Sequence, residues 1–463
     1  MGRIVISEGV GARSGSYVGA AAVGVSAAFF VPVGGQLYLV EVISLAVVFL
    51  VIASRGYHPG WRGKTVLFLG LIWAVAFSIS SYVHESASVD WRPGIAAILF
   101  LPAVVLCIRI VGVTRSHYRW LFSAYLLGSL VAASVQPAEL FAESRWKFGY
   151  GLPATLLLVL LASRSRGAAV RWLSMLGAVV LNVAFDYRSL ALIVTFVLAI
   201  DFVRVVFKPK LHSFPARATF AVAASGGLIL IGAIVARVYS RLAQEGVLGP
   251  SAALRLQLQG GGAVWTMLLG GRNEGFYSVP AVLEHPFAGY GASKPLPLLI
   301  QTTAQRSLQA LGLGQLSDFG HANGQIPTHS FLMDAWVTSG LLGGLFWLFV
   351  LFLTVAALFA VVRNYGENGW VFPGMLFTLQ AWNILFSPFG GSSRILAAIT
   401  LAMALYELSR VYGGGARQGS LSTNRSTPGQ PGPLAARVRA SARSDLFAPV
   451  VRPEGAAVAV GKA

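Results

Sequence analysis

The chain has 463 residues, 56% of them hydrophobic and 11% charged, where a soluble globular protein carries about 25% charged residues. Its 35 Lys and Arg against 17 Asp and Glu give a formal charge of +18, but the basic residues gather in short segments between apolar runs and in the C-terminal stretch, a positive-inside pattern rather than a nucleic-acid patch. One cysteine, Cys107, excludes both a disulfide framework within the chain and a Cys-rich metal site.

In chain order, residues 1–16 read as a short cytoplasmic segment with no cleavable signal peptide. Apolar runs long enough to cross a hydrocarbon core follow at 17–34, 36–54, 65–83, 94–113, 119–135, 148–163, 167–184, 188–206, 218–238, 331–362, 369–387 and 393–411. The stretch 165–207 is about twice a span in length and is divided at Asp186-Tyr187-Arg188. Glu41 falls inside an apolar run near its outer end, where it either serves a function or simply reaches water. The fold class is therefore expected to be all-α: a polytopic integral membrane protein of about twelve transmembrane helices, nine over 17–238 and three over 331–411.

The segments between runs alternate in charge. Arg55, Arg62 and Lys64; Arg115 and Arg119; Arg164, Arg166 and Arg171; and Arg204, Lys208, Lys210 and Arg217 fall on one side. Glu85, Asp90 and Arg92; Glu139, Glu143, Arg145 and Lys147; and Asp186 with Arg188 fall on the other. This orients both termini to the cytoplasm and residues 239–330 to the outside. That loop of about 90 residues is too long for a connector and too apolar for a disordered linker, so it is expected to fold, with short helices near Ala252–Leu258 and Leu298–Leu311 lying on the membrane. From 412 onward the Gly, Ser, Pro and Arg content predicts a disordered basic cytoplasmic tail, either solvated or, through Arg437, Arg439 and Arg443, in touch with anionic lipid.

Soluble-enzyme signatures are absent: no phosphate loop, no HExxH, no Cys/His ligand cluster and no acidic pair of the kind that holds a metal on a nucleotide sugar. Neither a metal nor another cofactor is expected. What stands out is a set of basic and His residues on the outer side: Arg188, Arg272 in GGRNEGFY, His285 and Lys294 flanking HPFAGYGASKP, and His329 in PTHSFLMDAW. Thr328 or Ser330 is suited to cap a helix beginning beside His329, whose positive N-terminal end disfavours imidazolium. A neutral imidazole accepts a proton from a hydroxyl. The competing reading is that His329 marks the water–lipid boundary. Arg188 and Arg272 are suited to phosphate, which guanidinium pairs bidentately, or to anchoring at the interface. Gly289 and Gly291 suit a tight turn.

Three motifs in order make the chain resemble the O-antigen ligase and polymerase superfamily of bacterial envelope glycosyltransferases. They are the Arg-Ser-Leu-Ala-Leu run from Arg188; Gly271-Arg272 followed by Glu284-His285-Pro286-Phe287-Ala288-Gly289-Tyr290-Gly291; and His329-Ser330-Phe331-Leu332 followed by Gly340-Leu341-Leu342-Gly343. The resemblance spans roughly residues 17–411, and Ser330 stands where the family often has Asn. It implies a metal-independent, inverting transferase in the bacterial cytoplasmic membrane, moving a glycan from undecaprenyl diphosphate to an acceptor hydroxyl of a glycan or lipid-glycan on the outer side. It further implies Arg188 and Arg272 as diphosphate ligands and His329 as base or acceptor-orienting group, with Lys294 and His285 as candidate substrate-binding residues. Polymerase and ligase remain open, and so does a different class: a transporter or flippase of a lipid-linked glycan or anionic solute. No internal repeat supports that class, and the ionisable residues gather on one side.

Overall fold

Helices pair every backbone N–H and C=O within one segment, so they are the form that apolar runs adopt where water cannot satisfy the backbone. The computed structural model describes residues 15–32, 36–53, 60–86, 91–111, 114–137, 139–165, 167–207, 233–234, 237–247, 249, 253–254, 256–257, 273–313, 324–365 and 369–412. These residues form α1 (Gly15–Ser26), a small hairpin of β1 (Phe30–Pro32) and β2 (Gln36–Tyr38), α2 (Leu39–Ala53), α3 (Gly60–Val83), α4 (Arg92–Val111), α5 (Arg115–Val135), α6 (Gly151–Ala162), α7 (Ala168–Ala184), α8 (Arg188–Phe207), α9 (Gly275–Glu284), α10 (Leu298–Ala310), α11 (Phe331–Asn364), α12 (Val371–Phe386) and α13 (Gly391–Tyr412). Among the described residues, five stretches are long and apolar enough to cross a membrane: Gly60–Val83, Gly94–Val111, Arg188–Val206, Phe331–Asn364 and Gly391–Tyr412. The ninth expected run, 218–238, lies almost wholly outside the described residues, as does the tail.

The side chains are arranged for a lipid surround. α7 exposes Val170, Leu173, Leu176 and Val180 while it buries Arg171, Met175, Ala178 and Asn182. At helical spacing this is the reverse of a soluble amphipathic helix. Phe49, Leu50, Phe68, Phe352 and Phe359 likewise point outward. Several buried polar groups are matched to one another: Asn182 accepts from Trp146 Nε1 at 3.0 Å and donates to Thr155 Oγ1 at 2.8 Å, tying α6 to α7. Asp201 on α8 accepts from Arg171 Nε at 2.6 Å, Trp172 Nε1 at 2.9 Å and Trp370 Nε1 at 2.9 Å. Glu41, fully buried, accepts from Arg394 Nε at 2.6 Å and Nη2 at 2.8 Å, and from the Tyr38 amide at 2.9 Å. Its carboxylate thus joins the start of α2 to the start of α13 and does not reach water.

Two elements depart from the expected spans. The first run was expected to cross over 17–34, but α1 ends at Ser26 and Phe30–Pro32 pairs antiparallel with Gln36–Tyr38. Hydropathy counts these residues as apolar, whereas Pro32 cannot donate to a helix and Val31 favours an extended chain. The run 331–362 was expected as one helix, but Gly340 breaks α11 with φ 65° and ψ −156°. The arms on either side fold back on each other. The rings of Phe331 and Trp347 have centroids 4.9 Å apart, whereas a straight helix would separate these residues by about 24 Å. Gly343 faces the Ala335 carbonyl and Gly344 faces the Trp336 ring, so only hydrogen fits between the arms. The short arm, residues 331–339, packs through Phe331 on Trp347 and Phe389. Its N-cap Ser330 accepts from the Met333 amide at 3.1 Å and donates to the Ile384 carbonyl at 2.7 Å.

Candidate functional site

The described part of the 239–330 loop carries its own small core, with Tyr277 and Ala281 of α9, Ile300, Ala304 and Leu308 of α10, and Tyr290, Ile326 and Val337. This core lays α9 against the short arm of α11. The turn after α9 then docks on the break in α11. Breaking a helix frees carbonyls, and here the Tyr290 amide donates to Val337 O at 2.7 Å and the Gly291 amide to Thr338 O at 3.1 Å. Trp336 Nε1 donates to Pro286 O at 3.1 Å. Gly289 and Gly291 have φ of 70° and 72°. A Cβ on Gly289 would lie 2.6 Å from the Gly340 nitrogen, and one on Gly291 3.0 Å from the Ser80 carbonyl. The segment continues onto the end of α3, where Ser81 Oγ accepts from the Ala292 amide at 3.0 Å. The two glycine-bearing motifs are thus in direct backbone contact.

His329 lies just before the cap of the short arm, with its side chain half exposed. Its Nδ1 is 3.1 Å from Glu274 Oε1 at the start of α9, and Glu274 Oε2 is buried with no hydrogen-bond partner among the described residues. A scan against protein-family models finds no match, and no curated protein matches the chain. The assignment of this site therefore rests on its own chemistry. Sequence reading passed over Glu274: fifty-five positions separate it from His329, and neither periodicity nor spacing marks the pair.

Lys294 lies beside His329 through Thr328. Its Nζ donates to Asp334 Oδ1 at 2.6 Å and to Thr328 Oγ1 at 2.7 Å, and Thr328 Oγ1 donates to the same Asp334 oxygen at 2.6 Å. The ammonium is thereby paired at the helix N-terminus, where Asp334 also opposes the helix dipole. His285 sits at the other end of α9, about 16 Å along the axis from Glu274. Its ring meets Tyr290 edge-on at 4.7 Å. Tyr290 donates to Glu284 Oε2 at 2.9 Å, and its phenol is held well above the usual range, first by burial and then by that carboxylate. Replacing Tyr290 by Phe is expected to cost about 1 kcal/mol through loss of this bond. Thermal unfolding in detergent would read it, and an unchanged midpoint would show the bond to be of no consequence.

Arg188 forms a separate group. Its Nε donates to Asp186 Oδ1 at 3.0 Å, its guanidinium lies 4.2 Å from the Tyr239 ring centroid, and Tyr239 Oη donates to the same Asp186 oxygen at 3.0 Å. Among the described residues, none of these contacts joins it to His329. Arg272 lies outside the described residues, two positions before Glu274. Among the described residues no group of three His, Cys, Asp or Glu side chains is placed to hold a metal ion.

Proposed function

We propose that the chain is a twelve-span glycosyltransferase of the bacterial cytoplasmic membrane, with both termini cytoplasmic and the 239–330 loop outside. It transfers a glycan from undecaprenyl diphosphate to an acceptor hydroxyl. The observation that carries the reading is the pairing of a half-exposed His329 with Glu274 on a folded-back helical arm. Phe331 lies level with Trp347, seven residues into the long arm of α11, so His329 is drawn about 10 Å along that arm from the Gly340 turn.

The acceptor hydroxyl oxygen attacks the anomeric carbon and its proton passes to His329 Nε2. The bond between that carbon and the diphosphate oxygen breaks, and the lipid diphosphate leaves with the electron pair. Arg188 and Arg272 are assigned to the leaving diphosphate, whose charge grows in the transition state. Lys294 holds Thr328, and with it His329, against Asp334. The deep ion pairs Arg171–Asp201 and Glu41–Arg394 are sealed from solvent, which supports an anchoring role over a transport path.

Substituting His329 by Ala is expected to lower transfer by roughly 10²–10⁴-fold at unchanged membrane abundance, with lipid-linked glycan accumulating. Undiminished assembly in that variant would sink the mechanism. Single attached units without extension would indicate a polymerase, and long chains retained on lipid a ligase.

A further inference from the structure

Glu274 has a geometry that its place in the chain does not suggest. It is the N-cap of α9, which the loop core packs against the short arm, and His329 immediately precedes that arm's own cap, so two packed helix starts bring carboxylate and imidazole together. We propose that Glu274 is the positioning residue of His329: it accepts the Nδ1–H bond, fixes the tautomer whose Nε2 lone pair faces the acceptor hydroxyl, and stabilises the imidazolium formed as the proton arrives. The inference rests on the transferase reading above.

Three observations support it. The Nδ1–Oε1 separation of 3.1 Å is within donor–acceptor reach, and a ring that donates from Nδ1 presents Nε2 as its acceptor. The carboxylate is 18% exposed and the imidazole 50%, so the more enclosed partner is suited to orient and the open one to meet substrate. Oε2 is buried without a partner among the described residues. An under-paired carboxylate gains more from a neighbouring positive charge than one already saturated with donors, so the stabilisation grows as the proton is transferred. Asp334, by contrast, is already engaged with Lys294. Among the described residues, Glu274 is therefore the carboxylate placed to answer the imidazolium.

Two measurements on the full-length protein test this. The first needs no substrate. Diethyl pyrocarbonate acylates a neutral imidazole, and at about pH 8 unperturbed histidines are neutral. Site-resolved mass spectrometry is expected to show His329 modified at least about 5-fold more slowly in Glu274→Gln, because the amide can donate to Nδ1 and move the ring proton onto Nε2. The second is glycan transfer in membranes from cells that lack the parent protein but retain lipid-linked donor. Glu274→Gln is expected to lower the maximal rate roughly 10²-fold with little change in the donor level needed for half-maximal rate. Glu274→Asp should recover at least about tenfold of that. The double variant with His329→Ala should be no slower than His329→Ala alone, since groups acting as a unit are not additive. If His329→Ala is inactive while Glu274→Gln transfers at the parental rate, the inference is overturned and the transferase reading stands. If His329→Ala itself transfers at the parental rate, the reading fails. A Glu274→Gln protein too unstable to purify leaves the Asp variant to decide, and a maximal rate there no better than in His329→Ala also overturns the inference.

Discussion

Replacing Gly340 by alanine is expected to abolish the folded protein, with at least about 3 kcal/mol lost. Two independent causes add. The backbone at φ 65° and ψ −156° lies in a region essentially reserved for glycine. A Cβ there would also overlap the Phe287 carbonyl oxygen, which belongs to a backbone held by the Tyr290 and Gly291 amides and cannot swing aside. Relieving the overlap means undocking residues 285–293, and with them the helix that carries Glu274. Gly177→Ala is the control. That glycine is on the lipid-facing helix α7 with nothing within 4 Å of its Cβ position, so the change should stay within about 1 kcal/mol of the parent. Membrane abundance and thermal unfolding in detergent read both. A Gly340→Ala protein that is as abundant and heat-resistant as the parent would mean that α11 does not fold back at this residue.

The second large effect is expected at the Glu41–Arg394 pair. Either partner changed to Ala should cost about 3–5 kcal/mol, since the other is left as an uncompensated charge inside the protein. The carboxylate is fully buried and Arg394 is 7% exposed at its side chain, so water cannot take the missing partner's place. Arg394 also donates to the Gln36 carbonyl at 3.1 Å, so its loss loosens the hairpin before α2 as well. Changing both residues, Glu41→Leu with Arg394→Met, should recover most of the loss, because the two desolvation costs then vanish together. If the double variant unfolds no later than the worse single variant, the pair is a hydrogen-bonding hub for the hairpin more than a charge pair.

The helices were largely legible, because a run of about twenty apolar residues has few other ways to satisfy its backbone. Where α1 stops short, Pro32 and the Gly34-Gly35 pair that follows it carried the signal, but hydropathy gives those residues no special weight. The break in α11 was announced by excess length: 331–362 holds about half again as many residues as a span needs, and Gly340, Gly343 and Gly344 sit where the arms must approach. The candidate site was legible one residue at a time. His329, Lys294 and Gly289 stand out by type and setting, but their partners do not. Asp334 for Lys294 and Glu274 for His329 are supplied by tertiary packing of a loop with no periodic pattern, 40 and 55 positions away in sequence. Arg188 was grouped with His329 by shared side of the membrane, a far coarser coordinate than contact.

The two buried ion pairs differ in one respect that matters before the protein is complete. Arg171 and Asp201 are 30 residues apart, on neighbouring helices α7 and α8, and can meet as soon as that hairpin leaves the ribosome. Glu41 and Arg394 are separated by 353 residues, the first on α2 and the second on α13, the last helix among the described residues. Until α13 has been synthesised, Glu41 has no guanidinium to receive, and every shorter product of translation carries an unanswered carboxylate at the start of α2. The pair therefore acts as a closing seam: a chain that stops before α13 keeps a buried carboxylate without the guanidinium of Arg394.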